Sequence, residues 1–273
     1  MTSLQMLGYP ASLAMGLALG LTGGGGSILT VPILVYLFGI GALVSTTYSL
    51  GLVGLVALWG AWGAFRNGEL HLKRALSFGV PGVIGVLLSR RVFLPLLPQS
   101  LSFWGVSMTQ NSLMLIAFSL LMLLASFSMI RASFKKQTSI ITDQIEKNVS
   151  NIFLTLSGLA TGILAGFVGA GGGFLIVPVL VNVGRLDMRQ AVGTSLFVIA
   201  LQSLIGVLGD YEALAKMDLL LFITIAVLAL IGMSIGTKFR ERISQSKLKL
   251  GFGIFVLMMG AAILFQELRR GSL

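Results

Sequence analysis

Two runs of glycine, and the hydroxyl residues that follow them, are the parts of this chain with chemistry to offer. Gly23, Gly24, Gly25 and Gly26 precede Ser27, and Gly169, Gly171, Gly172 and Gly173 form a second run. Both interrupt long apolar stretches, so each breaks a helix. A helix starting after the break, at Ile28 or Phe174, turns free N–H groups and a positive dipole end toward whatever lies in front. Without a Cβ in the way, an anion can approach those amides. Ser27 is placed to cap the first new helix. The next segments add Ser45, Thr46, Thr47, Tyr48 and Ser49, and then Thr194, Ser195 and Gln202. Hydroxyls and amides donate to an oxyanion, but they also join membrane helices to one another. The candidate binding set is therefore the two glycine runs with Ser27, Thr47, Ser49, Thr194, Ser195 and Gln202.

Other chemistries find little support. His71 is the only histidine and cysteine is absent, which argues against a metal site, a His-based triad or thiolate work. Neither glycine run is followed by a Walker lysine, and Gly169–Phe174 fails the dinucleotide pattern at its last position. An enzyme is not expected, and no cofactor is implied. Arg90 and Arg91 are able to attract anions at a cavity mouth, although snorkelling to the interface is the expected role. Asp210, Glu212 and Asp218 read as a solvated loop, and no segment carries a clear mid-membrane carboxylate.

The elements that position these residues are apolar helices. Of 273 residues 56% are hydrophobic and 10% charged, and mean hydropathy is +0.97. This is an integral membrane composition. Apolar segments fall at 6–40, 43–65, 72–97, 111–130, 151–183, 190–209, 217–236 and 248–265. They are continuous rather than alternating, so the predicted class is an all-α polytopic membrane protein. The net charge of +10 is spread over the loops, which fits an anionic leaflet better than nucleic acid.

The glycine stretch is one part of an internal repeat. Shifting the chain by 146 residues superposes Leu13–Val35 on Leu159–Val181 with twelve of 23 positions identical, among them Val31–Pro32 on Val177–Pro178. The match continues through Ser49/Ser195 and Gly60/Gly206, and Gly85 pairs with Gly232 after one gap. The units are 1–130 and 151–273, joined by a basic connection at 131–150. Gly16/Gly20 and Gly162/Gly166 also stand in small-xxx-small register, so close helix packing is a second use for glycine.

Each glycine-broken segment is either one kinked span or a hairpin that dips in and returns. Lysine and arginine counts arbitrate. Eight single crossings divide the basic residues ten to nine, whereas non-crossing glycine segments divide them fourteen to five. The second scheme obeys the positive-inside rule, makes the halves inverted and puts loops 131–150 and 238–249 in the cytoplasm.

Gly169–Pro178 with its first-half counterpart Gly23–Pro32, and then Ala191-Val192-Gly193-Thr194-Ser195, resemble the TauE/SafE family of sulfite and organosulfonate exporters across essentially the whole chain. The resemblance implies a plasma (inner) membrane transporter of small sulfur-containing anions. Its partners would be that anion and the lipid bilayer, with no nucleic acid; oligomeric state is left open. Ser45–Ser49 departs from the family's pattern, with Tyr48 able to narrow one side of the site. An anion channel, or a non-transporting assembly protein whose glycines only pack helices, remain as alternatives.

Overall fold

The computed structural model describes residues 3–96, 100–103, 106–134, 151–169, 172–209, 218–240 and 245–271. Among the described residues, ten helical elements fall into two sets of five. The first set is α1 (Ser3–Thr22), α2 (Gly25–Leu37), α3 (Ala42–Arg66), α4 (Leu72–Leu96) and α5 (Gln110–Phe134). The second is α6 (Asn151–Val168), α7 (Gly173–Asn182), α8 (Met188–Leu208), α9 (Leu219–Arg240) and α10 (Gln245–Gly271). Helices α3, α4, α8 and α9 are each long and apolar enough to cross a membrane.

Two departures from the sequence reading lie near residue 90. Helix α4 fills the expected segment 72–97 up to Leu96 and takes in Pro95, but passes through a π-helical turn at Ser89–Phe93 that hydropathy does not foretell. Beyond it, Ser100–Phe103 pairs antiparallel with Val106–Thr109, the one strand pair among the described residues. Pro98, Trp104, Asp210, Glu212 and most of 131–150 lie outside the described residues.

At the first glycine run the chain doubles back. Gly26 lies against Met15 and Leu19, the Thr30 hydroxyl meets the Met15 sulfur at 2.8 Å, and Phe38 reaches Gly8. The rings of Tyr9 and Phe38 meet edge to face with centroids 5.5 Å apart. The two arms thus pack side by side. The outgoing arm α1 has 20 residues, about 30 Å at ~1.5 Å each. The return arm α2 is irregular because Pro32 has no N–H to offer the preceding turn. A π turn follows it, closed by Phe38 N on Ile33 O at 3.3 Å. The second run behaves likewise, with Gly172 beside Thr161 and Ala165.

The two sets exchange their first helices. Helix α1 packs on α9 through Gly16 against Ala229, Gly20 against Met233 and Gly232 against Leu13. Helix α6 packs on α4 through Gly162 against Gly82, Gly166 against Val86 and Gly85 against Leu159. Contacts climb together from 16 with 229 to 20 with 233, and from 162 with 82 to 166 with 86, so the helices of each pair run parallel. Backbones approach this closely only where no Cβ intervenes. Helices α3 and α8 cross antiparallel, with Gly54 at Leu204 and Gly60 at Leu196. Outward side chains such as Trp59, Trp62, Leu76, Val80, Ile84, Leu220 and Ile223 are apolar and exposed.

Loop contacts sort the charges by end. Arg240 forms an ion pair with Glu69, and the His71 amide donates to Thr194 Oγ1 at 3.0 Å. The basic residues around 66–74, 185–189 and 238–240 therefore share one end. The Asp218 amide meets Tyr48 Oη, and Gly209 lies beside Arg90, at the opposite end. Eight single crossings would have separated 66–74 from 185–189 and 238–249.

Candidate functional site

The two hairpin tips meet between the halves. Gly23 (φ +73°) and Gly169 (φ +73°) end α1 and α6, and their amides bond the carbonyls of Leu19 and Ala165 at 2.8 Å each. Only glycine holds that left-handed turn without strain. Each tip faces the opening turns of the other half: Gly23 packs on Val192 of α8, and Gly169 on Thr46 of α3. A Cβ on Gly173 would fall 2.5 Å from Gly24 Cα, so the two breaks are in backbone contact. Gly171 lies outside the described residues.

The first break is largely satisfied from within. Helical turns begin at Gly25 and at Gly173 rather than at Ile28 and Phe174. Ser27 does not cap: its hydroxyl donates to Gly24 O at 2.7 Å. The acceptor for the Gly25 amide is Thr22 Oγ1, at 2.8 Å. Position 168, its counterpart at the 146-residue offset, is valine, a residue with no side-chain acceptor. The second return helix instead starts from Gly172 in the left-handed region, whose carbonyl accepts from Leu175 and Ile176.

The hydroxyl segments divide between structural and unassigned roles. Ser45 Oγ donates to Ile40 O and Thr46 Oγ1 to Leu43 O. Thr194 and Tyr48 sit at equivalent places and receive the amides of His71 and Asp218, just before α4 and α9. Asp218 caps α9, its carboxylate accepting from Leu220 and Leu221. Ser195 Oγ reaches Gly23 O at 2.6 Å and Val192 O at 2.8 Å, pinning the first tip to α8. Thr47 Oγ1 accepts from Arg90 Nη1 at 3.2 Å. Ser49 and Gln202 are fully buried, and neither Ser49 Oγ nor the Gln202 amide atoms have a hydrogen-bond partner.

The sequence reading missed several residues. Arg90 is 3% exposed, so its guanidinium is buried against α3 instead of snorkelling. Ser89 and Ser203 are buried with unpartnered hydroxyls. Their signal was present, since Gly82, Gly85 and Ser89 place small residues at helical spacing along one face of α4. Glu267, two residues beyond the last apolar segment, is 2% exposed and accepts from Tyr36 Oη at 3.5 Å. Among the described residues no group of three His, Asp or Glu side chains could hold a metal ion.

Residues 9–263 match the family described as Sulfite exporter TauE/SafE. The chain belongs to the TauE/SafE family. A "Probable membrane transporter protein" of Xylella fastidiosa (strain 9a5c) is 30% identical over 93% of this chain and 92% of its own length. "Probable membrane transporter protein YdhB" of Bacillus subtilis is 25% identical over 92% and 96%. No solved structure matches the chain. It is thus a multi-pass membrane protein of a transporter family, and the TauE/SafE match extends over both hairpins.

Proposed function

We propose that this TauE/SafE protein is a secondary transporter that exports small anions of the sulfite or organosulfonate type, using the paired glycine breaks and the polar side chains beside them. The observation that carries the reading is the burial of unpartnered Ser49 and Gln202, each one helical turn beyond a residue packed on a break, Thr46 on Gly169 and Ile199 on Gly173. Polar atoms left unpaired at such depth are costly unless something uses them. Short, glycine-interrupted helices at matching places in two halves are the usual mark of a transporter site.

The antiparallel crossing of α3 and α8 supports inverted repeats at 1–130 and 151–273. The clustering of 66–74, 185–189 and 238–240 at one end supports a cytoplasmic face there, in the plasma membrane, with both termini outside. Because cysteine is absent, single sites can be labelled with an impermeant thiol reagent. Ser139→Cys and Ser244→Cys are expected to react only in opened cells, and Thr2→Cys in intact ones. The reverse pattern would overturn the orientation.

The assembly-protein reading draws on one observation, the backbone contact of Gly24 with Gly173. Ligand-dependent stability separates the two. Sulfite or a simple organosulfonate is expected to raise the melting temperature of purified protein, by the equivalent of about 2.7 kcal/mol at a hundred times Kd. If sulfite, sulfonates, sulfate and carboxylates all leave it unchanged up to tens of millimolar, the transporter reading fails.

A further inference from the structure

We infer that the two pseudo-equivalent sides of the tip contact are unequal, and that one polar seam, Ser49, Ser89, Gln202 and Ser203 beside Arg90, is where the oxyanion binds. This rests on the transport reading above and assigns its site.

The seam follows α4 and α8, which run parallel and in step. A Cβ at Gly82 would lie 2.8 Å from Gln202 Cδ, one at Gly206 2.6 Å from Val86 Cγ1, and one at Gly209 3.4 Å from Arg90 Cβ. From Gln202 to Gly209 this covers about 10 Å of helix at ~1.5 Å per residue. Ser89 faces α6, since a Cβ at Gly166 would fall 2.9 Å from Ser89 Cβ. Ser49 lies one turn along α3 from Thr46, the residue packed on Gly169. The hydroxyls of Ser49, Ser89 and Ser203 and both amide atoms of Gln202 are buried without hydrogen-bond partners. Arg90 Nη1 donates to Thr47 at 3.2 Å, which places a guanidinium at one end of the seam. Hydroxyl, amide and guanidinium donors strung along one dry seam are groups that suit an oxyanion.

The mirror seam, along α9 and α3, offers nothing comparable. Gln202 and Ser203 correspond to Val56 and Ala57, both fully buried, and Ser89 and Arg90 correspond to Gly236 and Thr237. Thr237 spends its hydroxyl on Ser234 O at 3.0 Å, and Met233 fills the space at Gly60. Ser195, the counterpart of Ser49, is already committed to Gly23 O. The repeat therefore supplies the scaffold twice and the donors once.

Stability and transport should move in opposite directions, which a structural role for these hydroxyls does not produce. Removing an unpartnered buried hydroxyl relieves a desolvation cost. Ser49→Ala, Ser89→Ala and Ser203→Ala are made in the full chain, with Gln202→Met as an independent variant. Each is scored for melting temperature and for sulfite flux in proteoliposomes. The expected result is an unchanged or higher melting temperature with KM for sulfite raised about tenfold or more. On the mirror seam, Ala57→Ser should alter KM less than about twofold. If the wild type carries sulfite and these variants keep its KM, the seam is refuted while transport stands. A lower melting temperature in all of them would also refute it, by showing that the groups are partnered. If Ala57→Ser shifts KM as much as Ser203→Ala, the one-sidedness is wrong. If the wild type carries no anion at all, the transport reading itself falls.

Discussion

Gly16→Leu and Gly162→Leu should each leave almost no folded protein in the membrane. A Cβ at Gly16 would sit 2.7 Å from Ala229 Cα, and one at Gly162 the same distance from Gly82 Cα. Both neighbours are backbone, so no side chain can rotate away. Overpacking a tight contact costs about 1–3 kcal/mol even when side chains can adjust. Here a whole isobutyl group must enter, and the expected loss exceeds about 3 kcal/mol. Between apolar helices in lipid, close packing is itself the attraction. The helices concerned are the ones each half lends to the other, so splaying either pair separates the halves. The monodisperse fraction after solubilisation and the melting temperature report the loss. Gly63→Leu is the control, because nothing lies within 4 Å of a Cβ there. A melting temperature for Gly162→Leu equal to that of Gly63→Leu would contradict the exchanged packing.

The second large effect is expected at the tips. Gly23→Ala and Gly169→Ala each force a side chain into the left-handed region, which costs about 1–2 kcal/mol. Each also crowds a neighbour. The new methyl would lie 2.9 Å from Val192 Cβ in one case and 2.7 Å from Thr46 O in the other. Gly39 separates the two contributions. Its φ is +71° with nothing within 4 Å of a Cβ, so Gly39→Ala should show the conformational cost alone. Both tip variants should lose about 1–3 kcal/mol more than Gly39→Ala, and anion flux should fall with them. Chemical or thermal unfolding of the three variants side by side checks the ordering. Equal losses at Gly39 and Gly169 would mean that the tips are not packed on α3 and α8.

The sequence made the scaffold legible because repeats and charge counts are properties of the chain itself. The match of Gly16 to Gly162 and of Gly85 to Gly232 foretold residues that lie at equivalent contacts. The fourteen-to-five split favoured the folding-back that Gly26 makes against Met15 and Leu19. What composition could not reveal is which hydroxyl is already occupied. Ser49 and Ser195 are the same residue type at the same offset, yet Ser195 closes on Gly23 and Ser49 closes on nothing. Thr194 accepts the His71 amide, a bond that residue type alone does not announce. Ser27 looked like a cap, but the acceptor for the break's amide is Thr22, which precedes it. Arg90 was misplaced because arginine near the end of an apolar run usually escapes to the interface. The π-helical turn that carries it inward has no signature in hydropathy. The hairpin at 100–109 was missed for a similar reason, its strands being four residues each.

The most direct test of the account is anion flux through the purified wild-type chain in liposomes, compared across sulfite, organosulfonates, sulfate and carboxylates. Saturable flux of sulfite or an organosulfonate is expected, competed by the other and much weaker for carboxylates. No flux above protein-free liposomes for any of these anions would contradict it, as would flux that rises linearly with concentration and ignores competitors.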